Sequence, residues 1–165
     1  MEHCKYIRNK EIQPKAIVVA PLCYNSGKQV SETDTVSIID LIEDVCKTYS
    51  VNRDKISIAG HSQGSRHALR IAKANPNYFS ACVLFSWIPN SKSPNDMENL
   101  PAPTCQTKFI YENRSSANHY INRARNFASS YSNISVETVP NVNHETVVEA
   151  YKTTDIIQWM INQTR

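Results

Sequence analysis

One stretch of the chain constrains the fold more than any other, because residues 55–74 have the pattern of a strand, a sharp turn and a helix. The run Lys55–Ala59 has the isoleucine-rich composition of a strand buried in a sheet. Ser62 follows at the turn between Gly60 and Gly64, which are two of the three glycines in the chain. Glycine fits where a strained backbone would drive a side chain into the main chain or into a bound molecule. The pattern predicts that the turn presents the Ser62 hydroxyl at its apex.

Strand-like and helix-like segments alternate along the whole chain. The strand-like runs are Ala16–Ala20, Lys55–Ala59, Ala81–Trp87, Thr107–Tyr111 and Ile134–Val139. The helix-like segments follow a three- and four-residue apolar period, and they are 2–11, Thr33–Tyr49, the segment after the turn, Ala117–Tyr131 and Thr146–Asn162. This alternation predicts one α/β domain over residues 1–165, a three-layer sandwich around a mostly parallel five-stranded sheet. The functional site is then expected at the carboxyl ends of the strands.

Composition argues against several other classes of protein. The 18 Lys and Arg against 15 acidic residues are scattered along the chain, so the net charge of +3 does not favour a nucleic-acid partner. The five cysteines include no C-x-x-C pair, and we interpret them as reduced core residues. No metal, nucleotide or flavin cofactor is expected, because the chain has no glycine-rich phosphate loop and no ligand cluster. Without a transmembrane or signal-peptide run, we expect no membrane partner and a cytoplasmic protein if Met1 is the true start.

A serine hydroxyl is a poor nucleophile near neutral pH, so Ser62 needs a base within hydrogen-bond reach, and histidine is the usual one. His144 is the histidine in a loop just past the last predicted strand, which is where the strand ends of a parallel sheet converge. The other four histidines are assigned surface or structural roles; they are His3, His61, His67 and His119. We therefore predict that His144 is the base.

The run Gly60-His-Ser-Gln-Gly64, with a strand before it and a helix after it, resembles the nucleophile elbow of the α/β-hydrolase superfamily. The segments 12–22, 49–54 and 157–163 look like the esterase branch that contains feruloyl and acetylxylan esterases, polyhydroxybutyrate depolymerases and predicted peptidases. The resemblance implies a serine hydrolase, and specifically a carboxylesterase acting on a small-molecule or carbohydrate-linked ester. In it Ser62 attacks the carbonyl, His144 relays the proton and the Gln63 N–H holds the oxyanion.

The third member of the implied triad is an acid, and the chain leaves its identity open. The superfamily orders its triad as nucleophile, acid and histidine, and the acid usually is an aspartate after the strand that corresponds to residues 107–111. This chain has no aspartate there. Glu112 is the nearest carboxylate, Asn113 could only fix the histidine tautomer, and Asp96 after the third strand is a less common location.

The chain also departs from the family's pattern in one part. The family has an earlier strand that ends in a His-Gly-rich loop and supplies a second oxyanion donor, and no such segment precedes Ala16. Either the chain is a shortened member, or Ala16–Ala20 pairs directly with Lys55–Ala59 and residues 22–27 form the oxyanion loop. We expect direct pairing and a monomer, whereas an empty slot in the sheet would favour a dimer.

The missing donor and the uncertain acid define the alternative function. In that alternative the chain is a catalytically weak or inactive α/β-hydrolase remnant that acts as a binding or interaction module. If the chain is an esterase, Tyr24 and Trp87 are candidates to line the substrate pocket.

Overall fold

The computed structural model of the chain describes residues 9–10, 14–21, 32–87 and 102–165. The elements of this part are α1 (Glu32–Thr48), β1 (Ser57–His61), α2 (Gln63–Ala74), β2 (Ala81–Phe85), β3 (Gln106–Glu112), α3 (Asn118–Ala128), β4 (Ile134–Val139), α4 (Ala150–Thr153) and α5 (Ile156–Asn162). Three short 3-10 turns lie at Arg53–Lys55, Ser115–Ala117 and Val147–Glu149. The predicted helix over 2–11 falls almost entirely outside the described residues.

The strands form one parallel sheet in the order β1-β2-β3-β4. Helix α2 crosses from β1 to β2 and helix α3 crosses from β3 to β4, as parallel neighbours require. Every residue of β2 is buried, because this strand is covered on both faces and paired on both edges. The predicted α/β class with a parallel sheet is therefore confirmed, with four strands in the described part of the chain instead of five.

The predicted first strand and its direct pairing with β1 are both wrong. Residues 14–21 contain no strand, and no other described strand pairs with the outer edge of β1. The side chains of Ile17, Val18 and Val19 are 51%, 46% and 42% exposed, so neither a helix nor a sheet face covers them. A β-branched run forms a strand where it finds a partner edge and a surface to pack against, and the described residues offer this segment neither.

Helices cover both faces of the sheet, so the predicted three layers are present. Alternate strand side chains such as Leu84 and Phe109 pack with α2, α3 and the isoleucines of α1. The intervening side chains, such as Phe85 and Ile110, pack with the residues from Val142 to Met160 on the other face.

Within the described residues no helix has the length and apolar composition to cross a lipid bilayer. The three described cysteines are free thiols, and two of them are buried in the sheet core; they are Cys46, Cys82 and Cys105.

The predicted single C-terminal helix is wrong, because the chain is interrupted between α4 and α5. Thr154 adopts an extended backbone with φ −130° and ψ 171°. Its hydroxyl donates to the Ala150 carbonyl at 2.6 Å and accepts from the Ile156 N–H at 3.3 Å. A threonine side chain can replace backbone hydrogen bonds in this way and so end a helix. The break lets Val148 and Ile156 pack into the same core.

Candidate active site

Ser62 lies between the end of β1 and the first residue of α2, as predicted. Its backbone has φ 52° and ψ −114°, a conformation that non-glycine residues rarely adopt. The Ser62 N–H donates to the Phe85 carbonyl at 2.9 Å, and the Ser62 carbonyl accepts from the hydroxyl of buried Ser65 at 2.6 Å. These bonds fix the strained turn between β1 and α2 against the end of β2.

The two flanking glycines differ in what the structure requires of them. A Cβ on Gly60 would lie 2.1 Å from the Gly64 carbonyl oxygen, so only glycine fits at position 60. A Cβ on Gly64 would meet no atom of the described chain within 4 Å. The predicted clash of a side chain with the backbone is therefore confirmed for Gly60, whereas at Gly64 the described chain leaves room for a side chain.

The loop after β4 brings His144 to Ser62. Nε2 of His144 lies 3.0 Å from Oγ of Ser62, which is hydrogen-bonding distance. The Asn143 side-chain oxygen accepts from the backbone N–H groups of Glu145 and Thr146 at 2.9 and 3.0 Å, an Asx-type turn that fixes the loop around the histidine.

His61, which was assigned a structural role from the sequence, contacts the backbone of the candidate base His144. Nε2 of His61 lies 2.7 Å from the His144 carbonyl oxygen. A carbonyl only accepts, so this His61 nitrogen carries a proton and donates it. Burial lowers the pKa of His61, and the ring centroids of the two histidines are 5.0 Å apart. Sequence reasoning missed this contact because it depends on where the loop after β4 folds back.

Among the three candidate acids, the structure brings Glu112 to the histidine. Glu112 ends β3, is 8% exposed, and places Oε1 4.0 Å from Nδ1 of His144. That distance exceeds a hydrogen bond, and the two groups form an ion pair only when His144 carries a second proton. Asn113 is exposed, with its backbone N–H donating to the Val139 carbonyl at 2.9 Å. Asp96 lies outside the described residues.

Ser86, which the sequence did not single out, contacts the same carboxylate. Its hydroxyl donates to Oε2 of Glu112 at 2.6 Å in a buried setting. In the sequence Ser86 falls inside the predicted strand Ala81–Trp87, so no signal distinguished it from a structural serine.

The remaining predicted site residues have mixed outcomes. Gln63 is the first residue of α2, at the helix end where backbone N–H groups create a partial positive charge beside Ser62. Trp87 is fully buried and packs edge to face on Phe109, with ring centroids 5.9 Å apart, so the structure corrects it from a pocket-lining residue to a core residue. Tyr24 and the predicted oxyanion loop over residues 22–27 lie outside the described residues. No three His, Cys, Asp or Glu of the described part cluster as metal ligands would.

A family model described as putative esterase matches residues 4–139. Comparison with curated proteins found no match. Among solved structures, a thermostable esterase is similar at a TM-score of 0.61 and 15% identity, over 81% of this chain and 38% of that one. The BES protein from Bacillus cereus is similar at 0.60 and 15%, over 92% and 63%.

A fluorophosphonate-binding serine hydrolase from Staphylococcus aureus, solved with bound substrate, is similar at a TM-score of 0.55 and 14% identity, over 78% of this chain and 63% of that one. At these identities the likeness to solved structures establishes the fold. The chain spans between 38% and 63% of the length of these three proteins.

Proposed function

Because the chain belongs to the putative esterase family, we propose that it is a serine hydrolase that cleaves carboxylic esters through an acyl-enzyme. The observation that carries this proposal is the 3.0 Å contact between Nε2 of His144 and Oγ of Ser62. A base at that distance removes the hydroxyl proton as the serine attacks, which converts a poor nucleophile into a competent one.

The proposed reaction has two halves. In the first, Ser62 Oγ attacks the ester carbonyl carbon while its proton moves to Nε2 of His144. The tetrahedral intermediate then collapses, the bond to the alcohol oxygen breaks, and His144 returns the proton to the leaving alcohol. In the second half a water molecule attacks the acyl-enzyme with His144 again taking its proton, and the carboxylic acid leaves as Ser62 regains its hydrogen.

Charge around the two residues supports this assignment of roles. The imidazolium that forms on His144 lies 4.0 Å from the Glu112 carboxylate, whose negative charge stabilises it. The N–H of Gln63, at the positive end of α2, is the proposed donor to the oxyanion. The substrate is proposed to be a small-molecule or carbohydrate-linked ester, and this chemistry needs no cofactor.

One observation favours the alternative of a weak or inactive binding module. Glu112 and His144 are separated by 4.0 Å, and a productive triad normally closes that contact to a hydrogen bond. In the esterase proposal the gap closes when substrate excludes water from the site. In the alternative it persists and turnover is lost.

Hydrolysis of a series of p-nitrophenyl esters, from acetate upward in acyl length, separates the two functions. The wild type should turn over at least the short esters, and Ser62→Ala should lose roughly 1000-fold or more of kcat. Ser130→Ala, at an exposed serine after α3, is the matched control and should match wild type. A folded wild type without turnover would support the binding module, and an active Ser62→Ala would refute Ser62 as the nucleophile.

A further inference from the structure

Ser86 is a buried and strained residue that the proposed reaction steps do not use. It directly follows β2, is 1% exposed, and has φ 43°. A positive φ suits glycine, and a serine there carries backbone strain. Strain of this kind persists only where the surrounding structure fixes the backbone, and it clusters at active sites.

The Ser86 hydroxyl fixes one oxygen of the candidate acid. Its Oγ lies 2.6 Å from Oε2 of Glu112, and because an ionised carboxylate only accepts, the serine donates. Hydrogen bonds to a charged acceptor are shorter than neutral ones, and this one is short at 2.6 Å. With Oε2 occupied, Oε1 is the oxygen that faces Nδ1 of His144.

The backbone at the end of β2 joins the two halves of the site. The Phe85 carbonyl accepts from the Ser62 N–H at 2.9 Å, and the Ser86 N–H donates to the Ile110 carbonyl at 2.8 Å. Glu112 lies two residues beyond Ile110 on β3. The position of the Ser86 hydroxyl is therefore set relative to both the proposed nucleophile and the proposed acid.

We propose that Ser86 is a positioning residue, whose hydroxyl orients the ionised Glu112 carboxylate so that it faces His144. This inference rests on the proposed function, because the orientation matters through the imidazolium that forms during catalysis. A purely structural role of Ser86 in the turn would need only its backbone conformation and not its hydroxyl.

Two substitutions at Ser86 separate these roles in the p-nitrophenyl acetate assay. Ser86→Gly removes the hydroxyl and suits φ 43°, whereas Ser86→Ala removes the hydroxyl and keeps the strain. A positioning hydroxyl predicts that both variants lose roughly 10- to 100-fold in kcat with little change in KM. Ser80→Ala, at a 2% exposed serine just before β2, is the matched control and should stay near wild type.

The outcomes keep this inference distinct from the proposed function. If the wild type is active and Ser62→Ala is not, a Ser86→Gly variant with wild-type kcat overturns the positioning role and leaves the esterase proposal intact. If the wild type shows no turnover, the esterase proposal fails, and NMR decides the orientation instead. Ring chemical shifts of His144 at pH 7 should then move in both Ser86 variants and stay unchanged in Ser80→Ala. Unchanged shifts in all three would overturn the inference.

Discussion

Replacing Glu112 by glutamine removes the charge that faces His144 and leaves the shape of the side chain. Oε1 lies 4.0 Å from Nδ1 of His144, and unit charges at this distance attract by about 4 kcal/mol at an effective dielectric constant of about 20. The His144 side chain is 32% exposed, so solvent screening lowers this value, and roughly 2 to 4 kcal/mol is the expected range. At about 1.4 kcal/mol for each tenfold change, kcat should fall roughly 30- to 1000-fold.

The assay is kcat for p-nitrophenyl acetate, with circular dichroism to show that each variant is folded. The glutamine can still accept the Ser86 hydrogen bond, so the substitution tests charge more than packing. Glu145→Gln is the matched control, because it removes an exposed carboxylate adjacent to His144 in the chain and should change kcat less than twofold. If Glu112→Gln keeps kcat within twofold of wild type, Glu112 is not the acid and the electrostatic reasoning is refuted.

Two further predictions concern stability. Gly60→Ala should destabilise the protein by roughly 3 kcal/mol or more in chemical denaturation, since its Cβ would lie 2.1 Å from the Gly64 carbonyl oxygen, whereas Gly64→Ala should be far milder; equal effects would contradict the close approach. Hydrogen bonds from Arg53 and then Tyr78 lower the pKa of Glu43 to about 2, so this carboxylate stabilises the fold above its unfolded pKa of about 4.3, and the benefit is lost as pH falls toward 2. The difference in Tm between wild type and Glu43→Gln should therefore shrink from pH 7 to pH 2, and a constant difference would contradict it.

Patterns that depend on local chemistry were predictable from the sequence. The fifth predicted strand and β4 have the same bounds, Ile134–Val139, because alternating side chains on a half-covered strand leave a clear period. The strained turn at Ser62 was predictable because glycine at position 60 reports a close backbone approach. In both cases the residues that cause the structure lie next to one another in the chain.

Features that depend on distant partners were not predictable in the same way. The run Ala16–Ala20 has strand propensity, but it does not pair with the outer edge of β1. The contact between Ser86 and Glu112 joins two strands and depends on their register, which no pattern along the chain encodes. The helix break at Thr154 depends on the Thr154 hydroxyl, which competes with backbone N–H groups for hydrogen bonds. Threonine hydroxyls do this in only some structural contexts.

The central claim is that Ser62 is the nucleophile, and covalent labelling with a fluorophosphonate probe tests it most directly. Intact-mass spectrometry of the folded wild type should show one probe per chain, and peptide mapping should place it on Ser62. Ser62→Ala should take up none, and His144→Ala should label much more slowly because the base that activates the hydroxyl is gone. A folded wild type that takes up no probe, or a Ser62→Ala variant that labels as fast as wild type, would contradict the account.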